Sequence, residues 1–211
     1  MSKIIQEVVA IIDRSGSMAG KEDDTIGGIN TTLEVLKKDK ENNTEILVSI
    51  KLFDYEEKML IRSMSLDKVK PINRSQFVPR GQTALLDAIG NTLKYFMEKK
   101  LMNPNAYNYC TIYIATDGLE NCSKLYTAEK IKKLIEAAEM SYGIKLVYLA
   151  ANQDAILEAS KYGISRDQAI NYSESKETVE AVYRSAGNMV KRHRTGQHLG
   201  FTQEERMTSS R

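Results

Sequence analysis

Apolar residues along the chain fall into two kinds of pattern, and the two kinds alternate. Mostly apolar runs, as at 4–12 and 109–116, predict strands that are buried on both faces. Apolar residues spaced three or four apart, such as Leu85, Ile89 and Leu93, predict helices with one buried face. The predicted order is strand, helix, strand, strand, helix, strand, helix, strand, short helix, strand and helix, which is typical of an α/β fold.

The second and third predicted strands, 45–53 and 58–65, are joined by only four residues. A parallel crossover needs about a dozen residues, so the third strand is predicted to run antiparallel to the second. We expect it at the sheet edge, where Lys58 and Arg62 would discourage further pairing. The pattern predicts a three-layer, doubly wound, mostly parallel sheet of order 3-2-1-4-5-6, with helices on both faces.

A chain of 211 residues is most simply one domain. We expect that domain to span 1–192 and to end with a helix at 176–192, followed by a C-terminal tail at 193–211 whose periodicity is too weak to show whether it is ordered. Asn152 is predicted to cap the short helix that follows it, and Asp154 suits the positive end of that helix.

Composition and charge exclude several classes of function. The net charge of +2 is too small to argue for nucleic acid as a partner. No apolar run approaches the roughly 20 residues of a membrane helix, and Gln6 and Glu7 interrupt what would be the core of a signal peptide. Cys110 and Cys122 lie at opposite ends of one predicted strand, roughly 20 Å apart at ~3.3 Å per residue, so we expect two free thiols. A cytoplasmic protein without a membrane partner is the resulting expectation.

Candidate chemistry begins where the first strand ends. Asp13, Ser15 and Ser17 follow that strand in the order Asp-Arg-Ser-Gly-Ser-Met. Carboxylate and hydroxyl oxygens suit Mg²⁺, Mn²⁺ or Ca²⁺, whereas zinc or iron would favour histidine or cysteine. Two further oxygen donors, Thr83 before a helix and Asp117 after the fourth strand, complete the set. Doubly wound sheets bind ligands where strands 1 and 4 of this order meet, and those strands carry Asp13 and Asp117.

The combination of Asp-x-Ser-x-Ser, a threonine and Thr-Asp-Gly resembles the metal-ion-dependent adhesion site of the von Willebrand factor A family, over about residues 4–190. The Asp-Arg-Ser-Gly-Ser-Met start and the stretch 150–154 resemble small single-domain members from bacteria and their phages. The resemblance implies that Ser15 and Ser17 bind the ion directly and Thr83 directly or through water. It implies that Asp13 and Asp117 act largely through water or hydrogen bonds.

The same resemblance implies a function: a protein-binding module that captures an Asp or Glu carboxylate of a partner protein through the bound cation. Side chains next to the ion ligands in sequence are the candidates for contact with that partner. They are Arg14, Met18, Gln82, Leu119 and Glu120. Asp87 is expected to support the site or to cap its helix rather than to bind the ion.

Two enzyme alternatives stay open at this point. A metal-dependent phosphohydrolase could use Asp13 as nucleophile, but such phosphatases resemble Asp-x-Asp, and Ser15 here leaves no evident proton donor. Residues 16–21 superficially resemble a phosphate-binding loop, but they lack its spacing, and Glu22 follows Lys21. No catalytic constellation is evident, so we expect a protein that is not an enzyme.

A basic cluster at 191–194 is a further candidate site, for nucleic acid or an acidic partner. Basic residues at the end of a helix also complement its negative dipole end. We favour this second interpretation because it requires no ligand.

Overall fold

The computed structural model describes residues 3–39, 41–151 and 155–210, and within them the chain forms a six-stranded sheet with helices on both faces. The predicted cap at Asn152 and the acidic Asp154 lie outside the described residues. The elements are β1 (Ile4–Asp13), α1 (Glu22–Lys38), β2 (Thr44–Phe53), β3 (Glu57–Ser65), α2 (Leu85–Met102), β4 (Tyr109–Thr116), α3 (Ala128–Ser141), β5 (Ile144–Ala151), α4 (Ala155–Lys161), β6 (Ala169–Tyr172), α5 (Lys176–Thr195) and α6 (Gln203–Ser209).

The strand order is β3-β2-β1-β4-β5-β6, which confirms the predicted topology. β1 pairs in parallel with both β2 and β4, so the strand that ends at Asp13 lies in the middle of the sheet. β3 is antiparallel to β2 at the edge, as its short connection requires. Its pairing is interrupted by a bulge near Ser63, whose φ of 40° is a left-handed conformation.

Side chains of β1 alternate between two hydrophobic cores, one on each face of the sheet. Val8 and Ala10 pack among the apolar residues of α1 and α5, whereas Val9 and Ile11 pack among those of α2, α3 and α4. A strand buried on both faces needs apolar side chains at successive positions, because neighbours point in opposite directions. This explains the uninterrupted apolar run that precedes Asp13.

The C-terminal residues fold back onto the sheet. α5 continues past the predicted end at residue 192 to Thr195, and Gly196 ends it in the left-handed conformation. Phe201 is buried in the core beside α1 and α5, and Arg206 of α6 donates to the Ala169 carbonyl oxygen of β6. The predicted tail therefore begins inside the last turn of α5, and residues 196–210 are packed against the domain.

The basic cluster at 191–194 is engaged within the chain. Arg192 pairs with Glu205, Arg194 is buried and donates to Gln6, and Lys191 pairs with Asp39. These contacts favour the helix-end interpretation over a nucleic-acid patch. Cys110 and Cys122 are both free. None of the described helices is long and apolar enough to cross a membrane.

Candidate metal site

The loop after β1 is fastened to the loop that precedes α2 by backbone hydrogen bonds. The Gly16 N–H donates to the Gly81 carbonyl oxygen at 3.0 Å, and the Arg80 N–H donates to the Arg14 carbonyl oxygen at 2.8 Å. Residues 14–16 and 80–81 thus run side by side, although they are distant in the sequence. This pairing brings Thr83 to the carboxyl end of β1.

Hydroxyl and carboxylate oxygens from the loops that follow β1 and β4 form a continuous hydrogen-bonded chain. Ser15 Oγ lies 3.0 Å from Ser17 Oγ, and Ser17 Oγ donates to Asp117 Oδ1 at 2.7 Å. The adjacent pairing of β1 and β4 places both loops at one sheet edge. Three of the five predicted ion ligands are therefore in direct contact.

Asp13 lies beneath this chain and is fully buried, with 0% of its surface exposed. Its two carboxylate oxygens accept from the Ser15 N–H at 2.7 Å and from Thr116 Oγ1 at 2.6 Å. Burial raises the pKa of the Asp13 carboxyl, and the hydrogen bonds from Thr116 and Ser15 oppose that rise only in part. Asp13 therefore orients the loop that carries Ser15 and Ser17. A cation bound nearby would favour the ionised form of its carboxyl.

Gly118 leaves a space on which the remaining donors converge. A Cβ at this position would lie 3.2 Å from Thr83 Oγ1, 3.5 Å from Ser17 Oγ and 3.6 Å from Asp13 Oδ2. Oxygens from the end of β1 and its loop, and from the loop before α2, thus surround one point next to the Gly118 backbone. The structure brings all five predicted ligands to this place.

Thr83 is held there by a residue that sequence reasoning missed. Asn121 Oδ1 accepts from the Thr83 N–H at 2.9 Å, and the Asn121 N–H donates to the Thr83 carbonyl oxygen at 3.1 Å. Thr116 and Lys21, which both contact the aspartates, were missed as well. An Asn or Lys within a few residues of the motif is too common a signal to have identified them.

The predicted partner-contacting residues are placed in two different environments. Gln82 is exposed, and Leu119 is 57% exposed, so both are available to a partner. Arg14 and Met18 are only 6% and 3% exposed. Arg14 Nε lies 2.9 Å from Asp54 Oδ2, so its charge is paired inside the protein. Adjacency in sequence placed these two side chains at the rim, whereas the loop turns them inward.

Glu120 and Asp87 organise the loop that follows β4. The Glu120 carboxylate accepts from the Leu86 N–H at the start of α2 and from the Cys122 N–H. The Asp87 carboxylate accepts from three successive backbone N–H groups, at residues 124–126. Asp87 thus supports the site from within the fold, and the partly buried Glu120 has its oxygens occupied by its own chain.

Comparison with known proteins finds similar structures but no similar sequences. No protein-family model matches the sequence, and a search of the curated proteins finds no match. The vWF domain of the type V pili tip protein Mfa5 from Porphyromonas gingivalis aligns with 97% of this chain and 100% of its own, at a TM-score of 0.61 and 11% identity. The chain has the fold of a von Willebrand factor A domain.

Two further structures with this von Willebrand factor A fold come from longer chains. The ArnB paralog VWA2 from Sulfolobus acidocaldarius aligns at a TM-score of 0.56 and 17% identity, over 88% of this chain and 45% of its own. Proximal thread matrix protein 1 from the mussel byssus, with a zinc-occupied MIDAS motif, aligns at 0.59 and 12%, over 87% and 47%. This chain thus spans about half the length of these two proteins.

The donor set of the site fits a divalent cation. Among the described residues, no group of three or more His, Cys, Asp or Glu side chains is arranged to hold a metal. The site instead combines two carboxylates with three hydroxyls: those of Asp13, Ser17 and Thr83 surround the space beside Gly118, and those of Ser15 and Asp117 contact Ser17. Such a hydroxyl-rich oxygen set suits a hard cation.

Proposed function

We propose that this chain is a divalent-cation-dependent protein-binding module that captures a partner protein through an Asp or Glu carboxylate. The observation that carries the proposal is the convergence of Thr83 Oγ1, Ser17 Oγ and Asp13 Oδ2 beside Gly118. Ser15 and Asp117 join this cluster through Ser17. Mg²⁺ is the proposed ion, with Mn²⁺ or Ca²⁺ as substitutes.

Neutral hydroxyls provide most of the proposed inner ligands, which is what makes the site suited to anion capture. Ser15, Ser17 and Thr83 would hold the ion without cancelling its charge, and Asp13 and Asp117 would fix the hydroxyls in place. A bound divalent cation would supply a positive, Lewis-acidic centre for an external carboxylate. The exposed Gln82 and Leu119 lie next to Thr83 and Gly118, where they would contact the partner around that carboxylate.

The phosphohydrolase alternative receives less support from the geometry. A nucleophilic Asp13 would need an accessible oxygen, but the side chain is fully buried and both oxygens accept hydrogen bonds from its own chain. Ser15 occupies the place of the second aspartate, so no acid or base stands beside the nucleophile. The absence of enzymatic activity stays a prediction, as does the cytoplasmic location, since similar structures include pilus proteins.

A peptide-display selection tests the proposed binding function. Immobilised protein is loaded with Mn²⁺, exposed to a random peptide library and eluted with EDTA. We expect the recovered peptides to share an acidic residue, and the change of that residue to its amide to abolish binding. The carboxylate proposal fails if the selected peptides bind equally well in EDTA, or if their amide versions bind as well as the acidic ones.

A separate assay addresses the enzyme alternative. Hydrolysis of a chromogenic phosphate ester is measured with Mg²⁺ for the wild type and for Asp13→Asn. The binding proposal predicts no turnover above the uncatalysed rate for either protein. Turnover that disappears in Asp13→Asn would replace the binding proposal with the phosphohydrolase.

A further inference from the structure

Lys21 reaches into the metal site from the start of α1. Its Nζ donates to Asp117 Oδ2 at 2.5 Å, and it also donates to Glu174 Oε1, just before α5. The other oxygen of Asp117 accepts from Ser17. Asp117 therefore contacts two groups. One is the Ser17 hydroxyl, which belongs to the proposed cation site, and the other is the positively charged side chain of Lys21.

The positions of these groups make the contact with Lys21 strong. The Asp117 side chain is only 2% exposed and the Lys21 side chain is 30% exposed, so water screens their attraction less than it would on an open surface. The carboxylates of Asp117 and Glu174 both accept from the Lys21 ammonium, and these two contacts favour its charged form. Lys21 is a fixed positive charge at neutral pH.

We propose that the Lys21 ammonium, a cation tethered to the protein, competes with the divalent ion for Asp117. Glu174 weakens this competition, because its carboxylate also pairs with the ammonium. The inference rests on the proposed metal site and assigns the residue pair that sets its affinity. It also explains why a lysine side chain is held between two acidic groups at this edge of the sheet.

Electrostatics sets the expected size of the effect. A divalent ion bound beside Asp117 would lie within a few ångströms of the ammonium, at a distance where repulsion between the two cations is large even in a watery medium. Removal of the lysine charge is therefore expected to tighten cation binding by about tenfold. The effect should weaken as salt is added, since the Lys21 side chain is partly exposed.

The test measures the dissociation constant of Mn²⁺ alone, by isothermal titration into the EDTA-stripped full chain. Lys21→Met removes the charge and keeps the length of the side chain. Lys21 makes no side-chain cap bond to α1, so this change leaves the helix start intact. Lys38→Met, an exposed residue at the other end of α1, is the matched control. Circular dichroism and melting curves establish that each variant is folded, and Lys21→Gln serves as a second neutral variant.

Glu174→Gln tests the second half of the inference. With Glu174 neutral, the Lys21 ammonium has Asp117 as its one charged partner among the described residues and holds it more firmly, so Mn²⁺ binding should weaken by several-fold. Loss of a nearby negative charge would also weaken binding directly, and the double variant separates the two effects. If Glu174 acts through Lys21, Glu174→Gln should change the dissociation constant less than about twofold in the Lys21→Met background.

The outcomes distinguish this inference from the proposed function. Tighter binding in Lys21→Met than in the wild type, with no change in Lys38→Met, supports it. If the wild type binds Mn²⁺ and Lys21→Met binds no more tightly, the inference is wrong and the metal site stands. If no variant binds Mn²⁺, both proposals fail.

Discussion

The backbone N–H of Gly16 donates to the carbonyl oxygen of Gly81 at 3.0 Å, and this contact joins the loop that carries Ser15 and Ser17 to the loop that carries Thr83. Gly81 has a φ of +68°, and a Cβ there would lie 2.3 Å from the Tyr55 ring. Glycine satisfies both the left-handed conformation and the close approach of the ring. The loop that carries Thr83 is therefore positioned by the backbone conformation of Gly81.

Gly118 provides the sharpest test of the space in which the oxygens converge. Gly118→Ala would place a methyl group 3.2 Å from Thr83 Oγ1 and 3.5 Å from Ser17 Oγ. We expect Mn²⁺ binding to weaken by more than about tenfold, because the methyl group would occupy part of the space on which the three oxygens converge, and even changes outside the inner ligands typically cost about 10- to 100-fold in affinity. The free energy of unfolding should change by less than about 1 kcal/mol, since Gly118 itself is only partly buried and the methyl group would meet no atom closer than 3.2 Å.

Gly27→Ala is the matched control for that variant. Nothing lies within 4 Å of a Cβ at Gly27, which is inside α1. Alanine should raise the free energy of unfolding by about 1 kcal/mol and leave Mn²⁺ affinity unchanged. Equal metal affinity in Gly118→Ala and Gly27→Ala would show that the cation does not bind beside Gly118.

Asn121 is predicted to act on the cation without touching it. Asn121→Ala removes the side-chain oxygen that accepts from the Thr83 N–H. Titration should show Mn²⁺ affinity reduced by about tenfold, with stability lowered by only about 1 kcal/mol. The control is Asn105→Ala, an exposed residue in the loop between α2 and β4. An affinity loss shared by both variants would rule out a specific positioning role.

His193 should make the fold less stable in mild acid. Burial first, and the charge of Lys145 second, lower its pKa to about 4 from an ordinary value of 6.5. The unfolded chain therefore binds more protons than the folded one between these two values, so stability is fully present above pH 6.5 and falls as the pH drops towards 4. The loss due to this group is at most about 3 kcal/mol.

Urea unfolding at pH 7.0, 5.5 and 4.5 measures this dependence. His193→Gln keeps a polar group near Thr111, to which the imidazole Nδ1 is hydrogen-bonded at 2.9 Å, and should flatten the decline between pH 7.0 and 4.5. His198→Gln, at an exposed position, should retain the wild-type profile. Parallel profiles for wild type and His193→Gln would show that carboxylates alone determine the acid sensitivity.

Hydrophobic patterning predicted the sheet because burial on two faces imposes continuous apolar strands. The run before Asp13 and the strand 109–116 have this form, and the short link before β3 fixed its antiparallel direction. Topology also predicted that Asp13 and Asp117 lie together, since the carboxyl ends of neighbouring parallel strands meet at one edge. The roles of Ser15, Ser17 and Thr83 came from the resemblance to the family's motif.

Other features depend on partners that sequence spacing does not reveal. Arg14 is buried because Asp54, at the end of β2, neutralises it. Thr83 is held by Asn121, and Lys21 reaches Asp117 only because α1 starts beside β4. Each contact joins different loops, so a charged or polar residue in the sequence gives no sign of its pairing.

The central claim is that Ser15, Ser17, Thr83 and the two aspartates bind a divalent cation. Calorimetric titration of Mg²⁺ and Mn²⁺ into EDTA-stripped wild type, Ser15→Ala, Asp117→Ala and the exposed control Ser141→Ala tests it most directly. We predict one site in the wild type and in Ser141→Ala, with about 2.7 kcal/mol of added stability at 100 times the dissociation constant, and no such binding in the other two. Folded wild-type protein that binds neither ion, or unchanged binding in Ser15→Ala and Asp117→Ala, would contradict the account.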